Sequence, residues 1–154
     1  MKNQFSITKA IIAGINGTIV MTLFMFMGNI MGIEMNVPKM LASMLGGNII
    51  IGWVMHFMIG TTLAVSYGFL LYDRININKS WLRGAVFGII PWLMAQLIVI
   101  PMMTQMNGMG FSAGLFSGSM LMATASLMAH LVFGTVVGFL YSPTKKEVLN
   151  INHA

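Results

Sequence analysis

Apolar residues fill four long runs of this chain, and polar residues are confined to the short stretches between them. Residues 9–32, 47–72, 81–103 and 111–141 are apolar or small almost throughout. Each run is at least as long as the roughly 20 residues a helix needs to cross a bilayer. The connecting stretches, EMNVPKMLASML, YDRININKS and TQMNGMGFSAG, leave no room for a soluble domain. The pattern predicts an all-α integral membrane protein: a single transmembrane domain folded as an up-down-up-down four-helix bundle. The start does not read as a cleaved signal peptide. Its apolar run is longer than an h-region, and no small-residue cleavage site follows.

A second pattern runs inside the apolar one. Small residues recur every fourth position: Ala10, Gly14, Thr18 and Thr22 in span one, and Gly52, Gly60, Ala64 and Gly68 in span two. Gly84 and Gly88 open span three, ahead of Trp92 and Gln96. Ser126, Gly134 and Gly138 mark span four. Four-residue spacing gathers such residues on one helix face, where backbones can approach closely in lipid. Pro91 predicts a kink in span three.

The halves of the chain also match. Gly84 follows Gly14 by 70 positions, and the H-x-x-x-G-T of His56, Gly60 and Thr61 returns 74 positions later as His130, Gly134 and Thr135. This predicts two pseudo-repeated helical hairpins related by an axis along the bilayer normal. Spans two and four would then be diagonal, with His56 and His130 facing each other across the centre.

Composition removes the soluble alternative. Of 154 residues, 57% are hydrophobic and only 7% charged, against about 25% charged in an ordinary soluble domain. There is no cysteine, so no disulfide or Cys-ligated metal can form. The basic excess, eight Lys and Arg against three acids, is topogenic. Lys2, Lys9, Arg74, Lys79, Arg83, Lys145 and Lys146 fall on one side of the predicted membrane and only Lys39 on the other. The positive-inside rule makes both termini cytoplasmic, in a multi-pass protein of the cell (inner) membrane. No nucleic-acid partner is expected; the expected partner is the lipid bilayer.

An ionisable side chain inside a span is a functional candidate by default. His56 and His130 sit at similar depth, about 26 and 23 Å from the charges at the cytoplasmic ends. Either could simply bond a carbonyl or a threonine such as Thr22, Thr61 or Thr135. As a facing pair they suit haem b, whose iron takes two axial imidazoles. Gly60 and Gly134, one turn away, would leave space for a porphyrin. Phe57, Phe133, Trp53 and Trp92 would line it, and Lys39 is the one outer cation for its propionates. A proton relay would need more titratable groups than the spans hold. Nor is there a Ser-His-acid set, an H-E-x-x-H or a phosphate loop, so no enzyme is expected.

Methionine supplies a further chemistry. There are 18, and thioethers are soft ligands that select Cu(I). Met31, Met35, Met102, Met103 and Met106 flank the outer loops, and the four-residue spacings Met31–Met35 and Met102–Met106 would put two sulfurs on one helix face. Methionine is also an adaptable filler of apolar gaps.

Along AGINGTIVMTLFMFMGNIMG…NVPKMLASMLGG…MHFMIGTTLAVSYGFL and AHLVFGTVVGFLY, the chain resembles a family of small four-helix bacterial membrane proteins of unknown function. The resemblance implies a multi-pass membrane protein and assigns no residue a role. Three functions remain open: a haem-binding electron-transfer component, a copper-handling protein, and a cofactor-free accessory subunit of a homo-oligomer or larger membrane complex. The last asks least of the sequence.

Overall fold

The computed structural model describes residues 3–141 and 144–145. Four of its helical runs are long and apolar enough to cross a membrane. Span one is α1 (Ile7–Ile30). A short helix, α2 (Val37–Met44), follows. Span two is α3 (Ile49–Ser66), continued by a π-helical turn over Tyr67–Leu71. Span three joins α4 (Ser80–Met94), a π-helical turn over Ala95–Val99, and α5 (Ile100–Met106). Span four is α6 (Met120–Leu140). The ends of the chain meet in a two-residue antiparallel pairing of β1 (Asn3–Gln4) with β2 (Thr144–Lys145), so both lie at one end of an all-α bundle.

Local chemistry explains the boundaries. Asn36 caps α2, its side-chain oxygen accepting from the Lys39 N–H at 2.9 Å, and Pro38 sits in the first turn. Asn48 caps α3 through the Ile50 N–H at 2.9 Å. In span three Pro101 has no N–H to offer the Leu97 carbonyl. Just before it the ladder slips by one residue, and the Ile100 N–H bonds the Ala95 carbonyl. Pro91 is accommodated inside α4.

The run expected as one span over 111–141 is two pieces. Phe111–Gly118 is a separate 3₁₀ segment, broken where Phe116 (φ 50°) and Ser117 (φ 58°) adopt left-handed backbone. Its phenylalanines and leucine carry the apolar signal of a span, but that backbone cannot join α6. Spans one to three otherwise end within three residues of the expected limits. Lys9, Arg74, Lys79 and Arg83 lie towards the end where the termini meet, and Lys39 lies at the α2 end. Lys2 and Lys146 lie outside the described residues.

The glycine stripes are packing faces, and they work in matched pairs. A Cβ on Gly14 would strike the backbone of Thr61, 2.8 Å away, and one on Gly60 would strike the Thr18 side chain. In the second hairpin a Cβ on Gly84 would strike the Gly134 carbonyl, and one on Gly134 would strike the Gly84 carbonyl. The residues matched by the repeat thus make the same crossing in both halves. Such close backbone approach is what holds helices together where lipid removes the hydrophobic drive. The repeat extends to Tyr67 and Tyr141, also 74 apart. Both are fully buried, and their rings meet edge-on at 5.9 Å.

Helix α1 packs on both α3 and α6, and α6 packs on α4. No comparable interface joins α3 to α4 among the described residues. The bundle is a ring of four helices left open along one seam.

Candidate ligand-binding cavity

A cavity of about 910 Å³ lies in the half of the bundle nearer α2. This lies towards the upper end of the range of small-molecule and cofactor sites. Every span contributes to it, and both histidines line it.

Each imidazole is held by a different partner. The Nδ1 of His130 lies 2.8 Å from the Ser126 carbonyl. A carbonyl only accepts, so Nδ1 carries the proton and the Nε2 of the neutral ring keeps its lone pair. His56 is buried, 5% exposed, with Nε2 3.0 Å from the Thr22 hydroxyl. That hydroxyl already donates to the Thr18 carbonyl at 2.8 Å. Its single proton is therefore committed, and it accepts from His56 Nε2–H. The free lone pair of His56 is on Nδ1. The two rings occupy matched positions in opposite tautomers.

A polar chain ends on the hydroxyl of Ser126, the residue whose carbonyl holds His130. The Ser117 hydroxyl donates to Gln96 Oε1 at 2.7 Å, and Gln96 Nε2 donates to the Ser126 hydroxyl at 3.1 Å. Gln96 is wholly buried in the π-helical turn, a deformation that recurs at functional sites. Two adjacent non-glycine residues in left-handed backbone cost about 1–3 kcal/mol each. They place Ser117 at the cavity wall, within reach of Gln96.

The other expected site residues divide. Gly60 lines the cavity, whereas Gly134 faces away from it into the crossing with Gly84. Of the four expected aromatic neighbours only Phe133 lines it; Trp92 instead donates its indole N–H to the Ala123 carbonyl at 3.0 Å. Lys39 is at the mouth, with Asn29, Glu34 and Ser43.

The five methionines singled out in the sequence differ in their surroundings. Helix α1 stops at Ile30, so Met31 and Met35 share no helical face; Met31 is 78% exposed and Met35 is buried. On α5 Met102 and Met106 are both exposed, while Met103 points inward. Six other or partly shared positions do converge: Met21, Met25, Met35, Met40, Met94 and Met122 line the cavity. Among the described residues, no three His, Asp or Glu side chains gather as a metal site.

The model of one protein family matches residues 5–149, nearly the whole chain. The chain belongs to DUF6789, a family of unknown function. DUF6789 membership assigns the cavity no ligand. No curated protein and no solved structure matches the chain.

Proposed function

We propose that this protein is a small, non-enzymatic accessory component of the cell (inner) membrane that holds haem b in the cavity, with His56 and His130 as axial ligands and both termini in the cytoplasm. The observation that supports this reading is that the two repeat-matched imidazoles line one cavity of cofactor size. Axial imidazoles and an apolar pocket are what a bundle core offers haem. His130, a lining residue, keeps the lone pair of Nε2 free, and Lys39, also in the lining, is a counter-charge for propionates. Ligation by His56 through Nε2 requires it to leave Thr22. The test is the absorption spectrum of protein purified from haem-replete cells. A sharp α band, weakened in both His56→Ala and His130→Ala, is expected; colourless wild-type protein contradicts the reading.

A copper-handling role has one observation in its favour, the six methionines around the cavity. Thioether and imidazole together suit Cu(I). On that reading Met25→Leu with Met122→Leu lowers bound copper, and Met102→Leu with Met106→Leu does not. Elemental analysis after copper loading decides it. Self-association or a larger complex is supported by the many exposed apolar side chains on the outer faces, and native mass measurement after gentle extraction tests it.

A further inference from the structure

The repeat that matches the hairpins also shows where they differ. Aligned at the offset of 70, Ala13 of α1 corresponds to Arg83 of α4, and Gly17 to Phe87. Ala13 and Gly17 belong to the closed seam. A Cβ on Gly17 would lie 2.9 Å from Val137 and 3.1 Å from the Phe133 ring, so α6 sits directly on the α1 backbone. At the corresponding place between α3 and α4 stands a phenylalanine. Phe87 is buried, with its ring centroid 5.0 Å from that of Tyr67. Arg83 is held beside it, its guanidinium donating to the Ile77 and Tyr72 carbonyls and lying 4.4 Å from the Tyr72 ring centroid.

These bulky groups sit one turn below the cavity, since Phe87 precedes Pro91 and Tyr67 follows Leu63, and both Pro91 and Leu63 line it. They hold α3 and α4 apart at their base, and above them the seam stays open. Ile59 on α3, Met94 on α4 and Val99 beyond it all line the cavity and all are exposed, on the side where α3 and α4 make no comparable interface. In a membrane that surface faces acyl chains.

We propose that the seam between spans two and three is a lipid-side entrance to the cavity, propped open by Phe87, and that the cavity takes an amphiphile that arrives dissolved in the bilayer. The apolar body enters between Ile59 and Met94, and an anionic end lies towards Lys39 at the mouth, where no ion pair competes for it among the described residues. Haem b, a dicarboxylate amphiphile, is one such ligand, so the proposal rests on the cavity being a binding site. It does not require that haem be the occupant.

The experiment uses the apo protein in phosphatidylcholine vesicles containing a diazirine-bearing fatty acid, with photolabelled positions read by peptide mass spectrometry. Met21 and Met25 are reporters, because they line the cavity but are nearly inaccessible from outside. Both are labelled in the wild type. Both lose the label in Ala95→Trp, which fills the seam, and in Phe87→Gly, which lets it close. Lipid-facing Phe69 stays labelled throughout. Ser43→Trp at the mouth leaves the label in place. Met21 and Met25 unlabelled in the wild type, or labelling lost in Ser43→Trp but kept in Ala95→Trp, overturns the lateral route. Because no haem is present, failure of the haem reading does not alter these outcomes.

Discussion

The His56 Nε2 and the Thr22 hydroxyl are 3.0 Å apart, and the donor in that bond is the imidazole. Thr22 therefore restrains the ring nitrogen that haem iron ordinarily takes. Thr22→Val removes the restraint. A net hydrogen bond is worth about 0.5–1.5 kcal/mol, so haem b affinity rises by about two- to ten-fold, read by titration of the purified protein. Affinity that falls would show that Thr22 orients His56 for ligation through Nδ1.

The glycine crossings carry much of the stability. Gly14→Ala and Gly84→Ala each drive a methyl group into the facing helix. Overpacking of this kind costs about 1–3 kcal/mol, and the matched geometry predicts similar losses at both sites. Reversible unfolding in mixed micelles measures them. Val86→Ala, at an exposed position of α4, is the control and stays near wild type.

The polar chain from Ser117 to Ser126 passes through Gln96. Gln96→Leu leaves two serine hydroxyls without that partner, a loss of about 1–3 kcal/mol. The 3₁₀ segment is then less firmly tied to span three. Limited proteolysis between residues 107 and 119 should accelerate, with the helical content of the spans unchanged by circular dichroism.

These outcomes mark what the sequence could and could not disclose. Four-residue spacing identified the faces that pack, and the H-x-x-x-G-T repeat placed both histidines on them, because helical periodicity is local. Spacing could not say which neighbour a face meets. Gly60 and Gly134 read alike, yet one lines the cavity and the other meets a glycine in the opposite helix. Trp92 read as a wall of the site because its binding to the Ala123 carbonyl depends on a partner 31 residues away. Hydropathy extended span four across Phe111–Gly118, where apolar side chains mask a broken backbone. The open seam had a signal in the sequence: the exchange of Gly17 for Phe87 at repeat-matched positions.

The central claim, that His56 and His130 serve one guest, is tested most directly by electron paramagnetic resonance of the ferric protein loaded with haem b. Two axial imidazoles predict a low-spin signal in the wild type, converted to high spin by either His56→Ala or His130→Ala. A high-spin wild type, or a low-spin signal that survives both substitutions, contradicts it.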